Sequence, residues 1–400
     1  MLTVAEALAK VLAHAKPLGV ETIALNRTTG RTLASDLKAL RTQPPAAVSA
    51  MDGYALRAVD AKFGARLAVI GAAPAGTPFE GTVNAGEACR IFTGAVVPKG
   101  ADAVLIQENV TANNLTIQVN EAAHRGDNIR PAGIDFQIGA HLLSAGTLLN
   151  PRHIALAAAA NHAALNVYCK PVVAIIATGD ELREPGSALE PGQIIASNSY
   201  AVAAMAHQHG ARVLDMGIVP DDKAAIAASI RVALRDGANV IVTLGGASVG
   251  DHDLVQGVFK DEGVALDFWK IAMRPGKPLM FGQLGEAKIL GLPGNPVSAI
   301  VCAQLFLLPL IAALQGRVFN QNIRKAVLGN SMTANGPRQH YARGQMIGET
   351  GEGLPIVETF DNQDSSLLVP LADADCLVVQ EANAAAASIG DMVAIINLQN

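Results

Sequence analysis

A repeated alternation of apolar strands and helices between residues 171 and 316 is the strongest constraint on what this chain can fold into. Runs rich in β-branched residues at 172–177, 212–218 and 239–244 each end in a polar loop, and helical patterns follow them. Such alternation predicts a parallel sheet with right-handed crossovers. In sheets of this kind, ligands bind beyond the carboxyl ends of the strands, so these loops form the predicted site.

The loop at 270–278 carries positive charge within an acidic protein. Lys270, Arg274 and Lys277 fall within eight residues that hold no acid, and Pro275 and Pro278 stiffen the backbone. Arginine and lysine form charge-assisted hydrogen bonds with oxyanions. The loop therefore predicts a site for phosphate or another oxyanion, with a solvated basic turn as the alternative.

Acidic residues occupy the other loops expected at the same edge of the sheet. They are Asp180, Glu181, Asp221, Asp222, Asp251 and Asp253. One or two carboxylates, together with substrate phosphate and water, are the usual ligands of Mg²⁺. As a set, these residues favour metal-assisted chemistry on a phosphorylated substrate, although a single one such as Asp222 is more often a helix cap.

The glycine-rich segment 245–250 follows a predicted buried strand and precedes a helix. Its backbone amides and the helix N-terminus could hold phosphate, with a plain glycine-rich turn as the alternative. The substrate-binding candidates here are Gly245, Gly246, Ser248 and Gly250. The segment also matches G-x-S-x-G, which leaves a serine hydrolase as a rival, with Ser248 as nucleophile and His340 as base. Two carboxylates, Asp251 and Asp253, crowd this serine and disfavour that reading.

The rest of the chain divides into three further parts. Residues 1–44 and 131–170 are expected to form a discontinuous stalk of helix and strand, 45–130 a small β-rich domain, and 319–400 a C-terminal β domain, beside the α/β domain at 171–318. A capping box, Thr3 to Glu6, begins the first helix. We expect the helix that opens at Pro151 to pack beside it.

Composition narrows the classes of function. The 30 basic residues against 35 acidic ones give a net charge of −5, and aromatic residues make up 4%. A protein that binds nucleic acid is expected to be basic and, for single strands, rich in aromatic residues, so no nucleic-acid partner is predicted.

The cysteines and histidines do not indicate a metal or disulfide scaffold. The four cysteines form no C-x-x-C pair, and His207 and His209 fall on different faces of a predicted helix, which favours a solvated surface. The uncharged stretch 297–314 is interpreted as a buried core or dimer helix rather than a membrane span. We therefore expect a cytoplasmic protein with no membrane partner.

Seven motifs, in this order, resemble those of the molybdopterin molybdenumtransferase family, whose vertebrate relative is the C-terminal part of gephyrin. They are SAMDGYA at 49–55, FTG at 92–94, RPAGID at 130–135, TGDEL at 178–182, GGASVGDHD at 245–253, RPGKP at 274–278 and GLPGNPVS at 291–298. The resemblance covers nearly the whole chain, with a looser match over the last eighty residues.

This resemblance implies an elongated four-domain homodimer whose cleft lies between an α/β domain, similar to molybdopterin adenylyltransferases, and elements of the partner subunit. The implied substrates are adenylylated molybdopterin and molybdate. The implied reaction inserts molybdenum at the dithiolene and releases AMP with the help of Mg²⁺. A molybdopterin adenylyltransferase is a further possible partner.

The resemblance also implies residue roles. The implied catalytic residues are Asp52, Thr93, Asp135, Glu181, Asp221 and Asp253, of which Glu181, Asp221 and Asp253 would hold the metal. The implied molybdate-binding residues are Arg274, Lys277, Ser298, Arg343 and Ser366. Pro275 and Pro278 would shape the loop at 270–278, which we call the anion loop, and Lys270 would also contact the substrate.

Three departures from the family pattern bear on these roles. Asn161 stands where a glycine is expected, and asparagine tolerates the left-handed conformation. Arg274 often corresponds to lysine, and it adds a planar fork of donors. The serines at 365 and 366 leave the choice of oxyanion contact open. A non-catalytic scaffold is a third interpretation, and the intact acidic and cationic sets argue against it.

Overall fold

The computed structural model describes residues 1–245 and 254–398. Within these ranges the chain forms three six-stranded sheets and four two-stranded pairs. The α-helices are α1 (Val4–Ala13), α2 (Pro151–Ala159), α3 (Ser197–Gln208), α4 (Lys223–Arg235), α5 (Leu254–Asp261), α6 (Pro296–Cys302), α7 (Leu308–Leu314) and α8 (Val369–Ala372). This is the predicted multidomain class, with an α/β core and β-rich parts on either side of it in the chain.

The α/β sheet provides the frame for the candidate site. Its strands lie in the order Arg212–Val219, Val172–Thr178, Val240–Leu244, Ala287–Leu292, Met280–Leu284 and Ala265–Trp269. The first four are parallel to one another, as predicted. The last two pair antiparallel, so the parallel pairing that was predicted holds for the first four strands. A short turn at 285–286 joins Met280–Leu284 to Ala287–Leu292, and the segment 270–279 joins Ala265–Trp269 to Met280–Leu284, so no crossover helix is needed.

Both faces of this sheet are covered by helices. On one face, α4 and α5 bury residues such as Ile226, Ile230 and Phe259 against the strands. On the other face, α3 and the chain of α6 and α7 pack with side chains that include Val202 and Leu310. Strands buried on both faces are nearly continuous hydrophobic runs, which explains the strong apolar signal of this region.

The helix α1 belongs to this core rather than to a stalk with α2. Its capping box is formed as predicted, since the Glu6 amide donates to Thr3 Oγ1 and the Thr3 amide donates to the Glu6 carboxylate. Its buried residues Val4, Ala7 and Val11 lie in the α/β core cluster, and the helix contacts α7. The expectation that α1 packs beside α2 was therefore wrong. Periodicity shows that a helix has an apolar face, but not which surface that face will meet.

The helix α2 has a different setting. Asn150 Oδ1 accepts from the His153 amide at its start, and Asn161 after its end has a φ of +74°, the left-handed conformation expected there. Its buried Ala157 packs with Leu33, Leu149 and others beside a strand pair. The two-stranded pairs are Val20–Ala24 with Ala164–Tyr168, Leu37–Lys38 with His141–Leu143, Val48–Ser49 with Ile129–Arg130, and Leu182–Arg183 with Ile194–Ile195.

The other two large sheets are the β-rich parts. The first has the order Ala103–Ile106, Gly53–Leu56, Glu87–Ile91, Arg66–Ala73, Thr116–Val119 and Val110–Ala112. The second has the order Met273–Arg274, Gln339–Glu349, Pro355–Thr359, Ile323–Leu328, Met392–Asn397 and Cys376–Gln380. A further pairing of Gln339–Glu349 with Cys376–Gln380 closes the second sheet into a barrel. Met273–Arg274 comes from the α/β part of the sequence, so this strand joins the two units.

The continuous helix Pro296–Leu314 is long and apolar enough to span a membrane, but 83% of its most apolar window is buried inside the fold. A π-helical segment, Ala303–Leu307, lies between α6 and α7. The predicted core helix is confirmed, and its start points toward the candidate site.

Candidate functional site

The first of two neighbouring cavities lies where the barrel meets the α/β sheet, and we call it the cationic cavity. It has a volume of about 350 Å³. Its walls are Arg274, Pro275, Gly276, Lys277, Pro278, Asn295, Ser298, Arg338, Gln363, Asp364 and Ser365. The structure thus brings together the predicted cations Arg274 and Lys277, both prolines and the buried Ser298.

The backbone of the anion loop is held closely against α6. Gly276 has a φ of +107°, and a Cβ at this position would lie 2.5 Å from Cys302 Sγ. The Cys302 thiol lies 3.8 Å from the Gly276 carbonyl oxygen, as a weak hydrogen bond. Burial raises the pKa of the Cys302 thiol, so it stays protonated and acts as a packing group. Only glycine fits this position without displacing the loop.

The cations of this cavity have no protein partner within 1–245 and 254–398. No hydrogen bond or ion pair joins the side chain of Arg274, Lys277 or Arg338 to another group there. Guanidinium and ammonium groups donate strongly and are rarely left together without an acceptor. This arrangement is suited to an oxyanion.

The loop at 362–367 forms the wall of the cationic cavity that comes from the barrel. Hydrogen bonds from Arg343 hold this loop in place. This side chain is 1% exposed. Its guanidinium donates to the carbonyl oxygens of Asn362, Asp364 and Leu367 at 3.2, 3.0 and 2.9 Å, and to Gln363 Oε1 at 3.3 Å. Arg343 therefore shapes the loop through its backbone, whereas the predicted direct contact with molybdate would require these hydrogen bonds to be broken.

The two serines of this loop face different cavities. Ser365 lines the cationic cavity, and its hydroxyl oxygen accepts from Asn295 Nδ2 at 2.9 Å. Its carbonyl oxygen accepts from the Val297 amide at 3.0 Å. Ser366 instead donates through its hydroxyl to Asp364 Oδ1 at 2.7 Å. Asn295 is at the predicted N-cap of α6 but makes no capping bond, because the loop from the barrel supplies the acceptor.

The second cavity, which we call the strand-end cavity, also has a volume of about 350 Å³. Its walls include Thr178, Glu181, Ser197, Asn198, Leu244, Gly245, Gly294, Asn295, Pro296 and Ser366. It lies at the carboxyl ends of the strands Val172–Thr178 and Val240–Leu244, where ligands of α/β proteins bind. Asn295 lines both cavities.

A glycine is required at position 245, in the wall of the strand-end cavity, because the backbone of Thr178 lies too close for a side chain. It has a φ of +97°, and a Cβ there would lie 2.6 Å from the Thr178 carbonyl oxygen. Gly246, Ser248, Gly250 and Asp253, which complete the predicted set in this segment, lie outside the described residues together with Asp251.

Three acids cluster beside this cavity. The Asp221 amide donates to Asp180 Oδ1 at 3.2 Å. Partial burial of its carboxyl, followed by the charges of Asp180 and Glu181, raises the pKa of Asp221. Across residues 1–245 and 254–398, no three His, Cys, Asp or Glu side chains form a ready metal site. The third predicted metal ligand, Asp253, falls outside the described residues. Asp222 is a helix cap, as its alternative interpretation predicted, and it accepts from the Ala225 amide at 2.8 Å.

Asp52 and Thr93 form a separate pair in the β-rich part. Asp52 Oδ1 accepts from the Thr93 amide at 2.7 Å and from its hydroxyl at 2.8 Å. These bonds, backbone first, lower the pKa of Asp52, so it is a carboxylate at neutral pH. Asp135 is exposed, and its amide donates to the Gln43 carbonyl. None of the three lines either cavity of its own chain.

Other predicted residues lie away from the two cavities. Lys270 has a φ of +77°, and its ammonium group lies 4.0 Å from the centroid of the Trp269 ring. It is not among the described walls of the cationic cavity. His207 is exposed as expected, but His209 is half-buried, with Nδ1 2.9 Å from the Met205 carbonyl oxygen.

Sequence reasoning missed Arg338 and Gln363 as wall residues, and it left open whether Ser365 or Ser366 contacts the oxyanion. Each belongs to the barrel, whose sequence carries no sharp motif. The pairing of Met273–Arg274 with Gln339–His340 brings the barrel to the anion loop. A two-residue strand gives no pattern from which this long-range pairing could be predicted.

Comparison with known families agrees with this architecture along the chain. Residues 2–161 match the MoeA N-terminal region (domain I and II), 174–313 a probable molybdopterin binding domain, and 325–398 the MoeA C-terminal region (domain IV).

Individual relatives match over nearly their whole length. The molybdopterin molybdenumtransferase of Haemophilus influenzae is 35% identical over 99% of this chain and 98% of its own. That of Nostoc is 34% identical over 94% and 88%, respectively. The crystal structure of a molybdopterin biosynthesis MoeA protein from Pyrococcus horikoshii is 29% identical and covers 100% of both chains with a TM-score of 0.85. The chain therefore belongs to the MoeA family, the molybdopterin molybdenumtransferases.

Proposed function

We propose that this transferase inserts molybdenum from molybdate into adenylylated molybdopterin and releases AMP in a reaction that depends on Mg²⁺. The observation that carries the proposal is the adjacency of two different cavities. One has cations without protein partners, and the other lies at strand ends beside carboxylates. A dianionic oxyanion suits the first cavity and a nucleotide-bearing substrate suits the second.

Within the cationic cavity, Arg274 and Lys277 would supply the charge for molybdate, and the buried Ser298 would supply a further polar contact. Ser365 is favoured over Ser366 as the serine that contacts the oxyanion, because Ser365 lines this cavity. Arg343 would act by holding the loop that carries Ser365. Pro275 and Pro278 would keep the anion loop in shape.

The acidic cluster fits a divalent cation. Glu181 and Asp221 offer the hard oxygen donors that Mg²⁺ prefers. The pKa of Asp221 is raised first by burial and then by the charges of Asp180 and Glu181, and a bound cation would balance those charges. Asp253 is the third proposed ligand. When bound, Mg²⁺ would neutralise charge on the phosphates of the nucleotide substrate.

The chain's own residues would hold the substrates in place. Gly245 allows the backbone at the strand end to approach the substrate, and Gly246, Ser248 and Gly250 are proposed to continue that wall. Lys270 is proposed as a further substrate contact, although it does not line the cationic cavity. No protein nucleophile is needed, because molybdate and the dithiolate can react once both are held together.

The pair Asp52 and Thr93, with Asp135, is proposed to complete the cleft of a partner subunit. These polar groups lie apart from both cavities of their own chain. A homodimer would bring them to the cleft across the interface. The proposed setting is the cytoplasm, where a molybdopterin adenylyltransferase would supply the substrate.

The serine hydrolase is the weaker alternative. Its proposed base, His340, is buried in the barrel, and burial, followed by the charge of Arg274, lowers its pKa to about 4. Among the described residues, the groups that act on His340 are Gln380 and arginines, with no carboxylate to orient it. A catalytic triad needs such an acid.

AMP release from adenylylated molybdopterin, with Mg²⁺ and with or without molybdate, tests the proposal. We expect release that molybdate stimulates in the wild type and that falls at least a hundredfold in Glu181→Gln. The matched control is Glu190→Gln, an exposed residue between the strands Leu182–Arg183 and Ile194–Ile195. It should behave as the wild type.

Two results would count against this function. Absence of AMP release from the wild type, together with labelling of Ser248 by a fluorophosphonate, would favour the hydrolase. Absence of both would favour a non-catalytic scaffold.

A further inference from the structure

Arg338 is fixed beside Arg274 by the backbone rather than by its own side-chain contacts. Met273 pairs with Gln339 and Arg274 with His340 in a parallel ladder. The Gln339 amide also donates to the Ala272 carbonyl at 3.0 Å. Arg338 directly precedes this pairing and is half-buried in the wall of the cationic cavity.

The charges of this cavity do not balance without a ligand. Among the residues that the structure describes, its walls contain three cationic side chains, Arg274, Lys277 and Arg338, and one carboxylate, Asp364, which leaves a formal charge of +2. Asp364 Oδ1 is already used by the amide and the hydroxyl of Ser366, at 2.8 and 2.7 Å. Like charges held together in a partly buried space repel one another unless an anion balances them.

The pKa of His340, which is buried in the barrel, is affected by the same positive charges. Burial is the main cause of its lowered pKa, and the charges of Arg274, Arg338 and Arg343 lower it further. The three guanidinium groups therefore act on one small region. Without Arg338 the cavity would carry a formal charge of only +1, which does not match a dianion.

We propose that Arg338 is a further oxyanion-binding residue. Its charge would bring the cavity to +2, which balances a tetrahedral dianion, and its guanidinium would contact that dianion from the barrel side, opposite the anion loop. This inference rests on the proposed function, in which the dianion is molybdate. The ligand would then contact Arg338 of the barrel and Lys277 of the α/β unit at the same time. A planar guanidinium offers two parallel donors to neighbouring oxygens, so lysine would be a poor replacement.

Isothermal titration with molybdate alone, without the pterin substrate, tests this role. We expect Arg338→Gln to bind molybdate at least tenfold more weakly than the wild type, with Arg338→Lys in between and an unchanged unfolding temperature. The matched control is Arg324→Gln, an exposed arginine on the barrel strand Ile323–Leu328. Sulfate, a tetrahedral dianion, should compete with molybdate, and the planar monoanion nitrate should not.

Measuring AMP release as well distinguishes a failure of the role proposed for Arg338 from a failure of the proposed function on which that role rests. For Arg338→Gln we expect release to recover at high molybdate, since the substitution weakens binding rather than the chemical step. Equal molybdate affinity in Arg338→Gln and the wild type would overturn the role of Arg338, as would a wild type that binds no molybdate. A wild type that binds molybdate but releases no AMP would instead overturn the proposed function and leave the anion site standing.

Discussion

Replacement of Arg343 by methionine should destabilise the barrel and thereby weaken the oxyanion site. The side chain is 1% exposed and makes four hydrogen bonds to the loop at 362–367. The loop carbonyls can partly rehydrate once the guanidinium is lost, so each bond accounts for about 1 kcal/mol. The loss in free energy of unfolding is then about 4 kcal/mol, or a decrease in unfolding temperature on the order of 20 °C for a unit of this size.

Differential scanning calorimetry, together with a molybdate titration below the first transition, measures both effects. Arg324→Met, an exposed arginine of the same barrel, is the control and should change the free energy of unfolding by less than about 0.5 kcal/mol. A variant Arg343→Met that keeps wild-type stability but no longer binds molybdate would refute this reasoning. In that case Arg343 would contact the oxyanion directly.

Three further predictions concern other parts of the structure. Gly276→Ala should lower stability by about 1–3 kcal/mol, because its Cβ would lie 2.5 Å from Cys302 Sγ, and Cys302→Ala in the same chain should recover part of this in urea unfolding. His340 stays neutral in the fold down to its pKa of about 4, whereas it protonates near pH 6.5 when unfolded. Stability should therefore fall as pH is lowered from about 6.5 to 4, by about 3 kcal/mol, and His340→Gln should lack this component in unfolding curves recorded across that range. Thr93→Val removes a hydroxyl that lowers the pKa of Asp52, so the pKa should rise by NMR titration; an unchanged value would show that the backbone bond alone sets it.

The sequence was a good guide where the signal is local or strongly periodic. The capping box of α1, the left-handed Asn161 and the buried strands of the α/β sheet all depend on residues close together in the chain. Such features are set by backbone sterics and by period, and a single sequence records both. The position of α1 against α7 could not be predicted in this way, because it depends on the partner of an apolar face.

The same distinction holds within the candidate site. Arg274 and Lys277 stand out as cations in a loop without acids, and the structure places both in one cavity. Arg338 reaches that cavity only through long-range pairing, so its sequence context gave no sign of it. Ser365 was a candidate beside Ser366, and only its contact with Asn295 distinguishes the two serines. Arg343 shows the converse, since a charge that looks available in the sequence lies on the strand Gln339–Glu349 and donates to the separate loop at 362–367.

We propose that the two cavities act on one substrate, so that molybdate uptake and AMP release are coupled. A single-turnover experiment with adenylylated molybdopterin, Mg²⁺ and molybdate should measure AMP in solution and molybdenum in the isolated pterin product. We expect equal molar amounts of both, and loss of both in Lys277→Gln at low molybdate. AMP released at the full rate without molybdate, and with no molybdenum in the product, would contradict it.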